Sequence, residues 1–273
     1  MLMYDKLFPP KKVALRSGKI VMEKRSRTPL ILLLIIVAVV LSVEFTNFNL
    51  KVLFVRIGKL FGMIGEMFPP DWAYFPKLWG ALVDTLQMSL IGSMIGALLA
   101  LPIAILASSN VIPNRFVTAF FKIVLSLLRT LPTLVTALIA TFIFGLGPTA
   151  GVVAILLFTL SYVGKLLYEQ IENVDMGPFE AMESIGMTRI QAFRYALFPQ
   201  VLPSYLSNSL FCFEGNVRYA AILGYVGAGG VGLLIKEDLG WRDYQNVGMI
   251  ILALVITVYL IETVSEHFRK KLI

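Results

Sequence analysis

Apolar runs, several of them near the ~20 residues an α-helix needs to cross ~30 Å of hydrocarbon, recur along the chain with polar breaks between them. They fall at about 29–43, 78–107, 116–144, 149–168, 200–225 and 244–261, which predicts an all-α polytopic membrane protein with about six transmembrane helices. Within the second run Gly92, Gly96, Ala100 and Ala104 repeat at one-turn spacing, a stripe that lets helices approach closely. The third run contains Arg129 and Pro132, and a proline inside an apolar helix removes a backbone donor and predicts a kink.

The breaks set the organisation. Residues 1–28 form a basic arm, with Lys6, Lys11, Lys12, Arg16, Lys19, Lys24, Arg25 and Arg27 against Asp5 and Glu23. Residues 29–77 hold the first crossing and an external segment whose Arg56, Lys59 and Glu66 recur at helical spacing, as in a helix lying in the membrane interface. Trp72, Tyr74, Phe75 and Trp79 then suit the headgroup layer at the entry of the second crossing. Residues 78–268 make the main transmembrane domain, and 269–273 a basic tail. With both termini inside, fifteen Lys and Arg fall on the cytoplasmic side and six outside, which predicts an N-in, C-in chain.

Composition narrows the class further. At 58% hydrophobic and 15% charged over 273 residues, a water-soluble fold is excluded. The single cysteine, Cys212, forms no internal disulfide, and with one histidine, His267, no intrachain metal site of nitrogen and sulfur ligands is expected. The net charge of +7 accompanies the hydrophobic spans and is read as setting orientation, not as binding nucleic acid.

Residues 169–198 are the most charged internal stretch and too polar to cross a membrane, so they form a cytoplasmic excursion. Asp175 and Pro178 start a short helix that runs to Ile185 and stops at Gly186, where a left-handed conformation carries no steric penalty. Thr188 and Gln191 fit a capping box for a second helix. A rigid helix protruding in this way suits a partner's groove.

Residues 175–199 resemble the EAA loop of permease subunits in binding-protein-dependent ABC importers. Glu180, Ala181, Gly186 and Pro199 match its pattern in identity and spacing, whereas Met182, Ala196 and Phe198 depart from it while staying apolar. The resemblance implies a type I ABC importer permease whose short helix is the coupling helix. Glu180, Ala181, Met182, Ile185, Gly186 and Pro199 would then engage the cleft of a cytoplasmic ATPase.

A second resemblance covers about residues 78–268. Arg129-Thr-Leu-Pro132, Gly145-Leu-Gly147-Pro148, Phe213-Glu214-Gly-Asn216-Val-Arg218 and the glycine run from Leu223 to Gly232 are together similar to the permeases of phosphonate and phosphite importers. It implies two copies of this chain forming the pathway, two cytoplasmic ATPases that hold ATP and Mg, an extracytoplasmic binding protein, and residence in a prokaryotic inner membrane. A methionine-type permease, which carries a similar glycine run, is the alternative within the class.

Glu214 and Arg218 stand one helical turn apart in the favourable order, acid before base. They form a buried pair that fixes packing, or Arg218 also offers its planar donors to an oxyanion in the pathway. Arg129 has the same two readings, as a partner for a carboxylate or carbonyl or as a cationic station, and Asn216 bonds across helices or touches substrate. Gly224, Gly227, Gly229, Gly230 and Gly232 make a tight reversal or a gate, because no strand precedes them and no Lys-Ser/Thr follows, as a nucleotide loop would need. Two rivals remain. An ion-coupled carrier using Asp84 and Glu214 has no need of an ATPase dock, and an intramembrane enzyme lacks HExxH and any histidine at membrane depth.

Overall fold

The computed structural model describes residues 11–14, 20–23, 28–46 and 48–272, and divides into two compact units, Met1–Gly62 and Met63–Ile273. Lys6, Arg16, Lys19, Lys24, Arg25 and Arg27 of the basic arm lie outside the described residues. In the first unit, β1 (Lys11–Ala14) pairs antiparallel with β2 (Ile20–Glu23), Lys11 opposite Glu23 and Ala14 opposite Ile20. This two-stranded sheet is an exception to the expected all-α chain; everything from Thr28 onward that is regular is helical. Helix α1 (Thr28–Phe45) is apolar on every side and 18 residues long, about 27 Å, so it is shorter than the other candidate crossings. Helix α2 (Leu50–Glu66) carries its charges on one side, including Lys51, Arg56 and Lys59, as its spacing predicts.

In the second unit Asp71 caps a 3₁₀ turn at Trp72–Tyr74, and α3 (Phe75–Ala107) follows with Pro76 in its first turn. Its buried face is small: Gly92, Gly96, Ala100 and Ala104 are all inaccessible. This face lies along α6 (Pro148–Asn173), whose buried Gly151, Ala154, Thr159 and Gly164 make the complementary stripe. Bulky Leu90, Met94 and Leu98 of α3 point outward instead, where lipid tails compete equally well for them.

Where one kinked crossing was expected at 116–144, the structure has two helices, α4 (Arg115–Thr130) and α5 (Thr133–Phe144), bent by 92°. The residue before a proline is pushed into the extended region, and Leu131 adopts φ −77°, ψ 120° ahead of Pro132. At 12 residues, about 18 Å, α5 is too short to cross a bilayer alone.

The polar excursion forms as its local signals predict. Helix α7 (Gly177–Ser184) is followed by Gly186 at φ +92°, and Thr188 opens α8 (Arg189–Ala192) with a complete capping box. A π-turn at Phe193–Leu197 then joins α8 to α9 (Phe198–Leu223). The fifth apolar run is therefore the end of a rod that starts at Arg189, not a separate helix beginning at Gln200. The π-turn precedes Pro199, whose ring and missing N–H are incompatible with regular i→i−4 pairing; the wider turn accommodates both. A 3₁₀ turn at Gly224–Val226 leads into α10 (Val231–Trp241), bent 51° from the rod, and α11 (Tyr244–Leu272) ends the described chain. Among the described residues three helical stretches are long and apolar enough to cross a membrane, or five if each bent pair counts as one span, where six crossings were expected; α1 is the run that falls short.

Helices α3, α6 and α9 are tied by Asn216. Its side-chain amide N–H groups donate to Ser93 Oγ and Thr159 Oγ1, both at 2.8 Å, and Ser89 Oγ donates to its backbone carbonyl at 3.4 Å. Asn216 is fully buried, so it occupies the seam and not an open cavity. Replacing it by Leu should remove both interhelical bonds while leaving the two hydroxyls free to bond their own helices, lowering stability by about 1–2 kcal/mol. Thermal unfolding of the detergent-purified chain checks this; an unchanged midpoint would show that the bonds contribute nothing net.

Candidate functional site

Two charged or exposed features and one glycine loop carry the candidate residues other than Arg129 and the seam residue Asn216. The first is the elbow around α7. Phe179 is buried in a cluster with Ile171, Ala192, Phe193 and Leu197, which anchors the short helix by one aromatic side chain. Asp175 accepts from the Gly177 N–H at 3.0 Å, and Gln200 donates to the Asp175 carbonyl at 3.4 Å, so the entry strand is tied to the rod. Glu183 pairs with Arg189 Nε at 3.1 Å across the turn, while Arg189 Nη1 donates to the Val111 carbonyl. This leaves Glu180, Ala181, Ile185 and Gly186 exposed together, with Ile185 72% accessible. Met182 packs partly against the core, and Pro199 lies apart from them in the first turn of α9. The anchor Phe179 was missed in the sequence; an aromatic residue directly after Pro178 in a polar stretch was the available signal.

The second feature surrounds Glu214. Its carboxylate is 4% exposed and accepts from two arginines: Arg218 Nη2 at 2.6 Å on Oε1 and Arg269 Nη2 at 3.4 Å on Oε2. Arg218 Nη2 also reaches Glu262 Oε2 at 3.2 Å, and Arg269 lies over the Phe211 ring. The predicted Glu214–Arg218 contact is therefore half of a cluster that staples α9 to α11. Arg218 remains 47% exposed at its side chain, and both of its hydrogen bonds use the same nitrogen. Arg269 and Glu262 were missed because tail charges read as orientation signals; their seven-residue spacing, which puts them on one face of α11, was the clue.

The glycine run forms a reversal. Gly227, Gly229 and Gly230 have φ of +89°, +76° and +69°, a region open to glycine and strained for other residues. A Cβ on Gly224 would stand 2.6 Å from both the Gly229 carbonyl oxygen and the Gly232 Cα, so the first turn of α10 meets it backbone to backbone. The reversal meets the Gly145–Pro148 loop, whose Gly147 N–H donates to the Gly227 carbonyl at 2.9 Å, and Val231 N donates to Thr85 Oγ1. Two motifs separated by some eighty residues thus share one contact, as neither spacing alone shows. Arg129 sits elsewhere, exposed in the last turn of α4 and without an ion-pair partner among the described residues. Among the described residues no hydrogen bond or ion pair joins it to the Glu214 cluster.

A family profile described as binding-protein-dependent transport system inner membrane component matches residues 96–272. The putative phosphite transport system permease protein HtxC of Stutzerimonas stutzeri is 31% identical over 211 residues, 77% of this chain and 75% of that one. The phosphite transport system permease protein PtxC of the same organism is 34% identical over 208 residues, 76% of each chain. Among solved structures, the MetNI methionine ABC transporter in an inward-facing conformation aligns with a TM-score of 0.65 at 23% identity, covering 74% of this chain and 99% of that one.

The shared carboxylate makes a specific prediction about coupling. Removing one arginine leaves Glu214 neutralised by the other, so Arg218→Gln or Arg269→Gln alone should each lower stability by about 1 kcal/mol or less. The double variant buries an unpaired carboxylate and should lose more than the sum, by about 0.5–3 kcal/mol. Thermal unfolding of the four proteins decides; simple additivity would mean that the two contacts are independent.

Proposed function

Because the chain belongs to the family of inner membrane components of binding-protein-dependent transport systems, we propose that it is the subunit through which an ABC importer passes a phosphorus oxyanion. The family role is that of a multi-pass, non-catalytic permease of the inner membrane, which works with an ATPase and a binding protein. The two phosphite permeases that match about three quarters of the chain carry the substrate class. Phosphite is the first candidate, with phosphonate, hypophosphite and phosphate sharing its tetrahedral anionic chemistry.

In this reading two copies form the pathway and two ATPases bind ATP and Mg on their own chains. Both termini and the elbow lie in the cytoplasm, as the excess of Lys and Arg there supports. Closure of the ATPases on nucleotide moves the two α7 helices together. The helices transmit the motion through Phe179 and the continuous rod from Arg189 to Leu223, which turns the cavity outward; hydrolysis returns it inward. Discrimination lies mostly with the binding protein, and the permease supplies cations that tolerate the anion.

In proteoliposomes holding the complete importer, binding protein loaded with phosphite or a phosphonate should stimulate ATP hydrolysis and anion uptake. Stimulation by methionine and by no phosphorus anion would replace the substrate class with the methionine type. The elbow is tested separately at Gly186, where a Cβ would meet nothing within 4 Å, so a substituent is opposed by the positive φ alone. Gly186→Val should be strained by about 1–3 kcal/mol and lose most uptake, whereas Gly186→Asn, which tolerates that region, should retain it. Normal uptake and ATPase association in Gly186→Val would remove α7 from the coupling role.

A further inference from the structure

The last turns of α4 and the second half of α6 bound a cavity of about 310 Å³, lined by Leu125, Ser126, Arg129, Thr130, Lys165 and Tyr168. All but Leu125 are polar, in a segment of the chain where most outward side chains are apolar. The charges nearby are nearly matched: Lys165 pairs with Glu169 at 3.4 Å, and Lys122 pairs with Glu172 at 2.8 Å while standing 5.3 Å from the centre of the Tyr168 ring. Arg129 is the cation left over, with no hydrogen bond or ion pair among the described residues. The hydroxyls of Ser126 and Tyr168 also have no hydrogen-bond partner among those residues.

A guanidinium fork, an ammonium that keeps two further N–H donors, and two free hydroxyls around one small space match the oxygens of a tetrahedral oxyanion. Arg129 is unpaired and shares this polar space with Lys165, so the cavity holds an excess of positive charge that an anionic partner would balance. We propose that this cavity binds a phosphorus oxyanion, supplied either by the transported anion or by the phosphate of an anionic lipid headgroup. The first source rests on the substrate class proposed above; the second does not. Ser126 stands one turn before Arg129 on α4, whereas Lys165 and Tyr168 are brought to it only by the packing of α4 on α6.

The test uses the complete importer in liposomes of phosphatidylethanolamine and phosphatidylglycerol, as wild type, Arg129→Gln, Lys165→Gln and Tyr168→Phe. Two quantities are read: phosphite imported per ATP hydrolysed, and phosphatidylglycerol retained by the purified complex. If the transported anion uses the cavity, import per ATP falls about tenfold or more in Arg129→Gln and less in the other two, with retained lipid unchanged. If a lipid headgroup fills it, retained phosphatidylglycerol falls in the same variants and import per ATP holds. Should a Gln variant fail to assemble, Tyr168→Phe and Arg129→Lys, which alter only a hydroxyl or the fork geometry, give the same reading. No change in either quantity overturns the proposal. A wild type that imports no phosphorus oxyanion defeats the substrate class and the first source together, and the lipid measurement then decides the cavity.

Discussion

The backbone of α3 can lie close to that of α6 only because Gly92 sits against Ile155 and the Val152 carbonyl, and Gly96 against Thr159 and the Leu156 carbonyl, with no room for a Cβ at either, and the rest of residues 63–273 is arranged around that contact. Lipid tails are as apolar as leucine, so burial alone gives two helices little reason to associate in a bilayer; close van der Waals approach and interhelical hydrogen bonds must do it. The narrow seam brings Ser93 and Thr159 near enough for Asn216 to bond both, which adds α9 as a third member. It also sets Thr85 where its hydroxyl receives the first N–H of α10.

From that centre two features extend to opposite parts of the chain. The elbow is rigid because an aromatic anchor, a left-handed glycine, a capping box and the Glu183–Arg189 pair all act between Phe179 and Gln191, and because α8 continues into α9. In the proposed cycle, a push on α7 would therefore have a stiff path into α9. The Glu214 cluster acts differently: one buried carboxylate shared by Arg218 and Arg269 couples α9 to the last turns of α11 by charge. Its strength depends on desolvation, since two of its four members are about half exposed.

The proposed alternating-access cycle needs rigid bodies joined by bends, and the fold supplies the bends at residues with definite backbone reasons. Pro132 breaks α4 from α5, and the glycine reversal breaks α9 from α10. Each is an abrupt change of direction at local chemistry, while the intervening helices are continuous.

Much of this was legible from residue order. Hydrophobic runs, the small-residue stripe, the helix–glycine–helix excursion and its capping box all follow from interactions within a few residues, and such local physics is the same in any context. The angle at Pro132 was not legible, because proline dictates a break but the packing of α4 and α5 on α6 dictates its size. The start of the long rod was missed for a related reason: the capping box at Thr188 predicts a second short helix and the apolar run a separate one from about Gln200, yet a π-turn joins the two past Pro199. The partners of Glu214 and of the Gly145–Pro148 loop lie some fifty to eighty residues away along the chain. Composition and spacing thus determined the membrane class, the apolar runs and the elbow, whereas only the tertiary structure decided how those runs divide into helices and which charges and glycines meet, since spacing carries information along one helix and contact between helices is set by their packing.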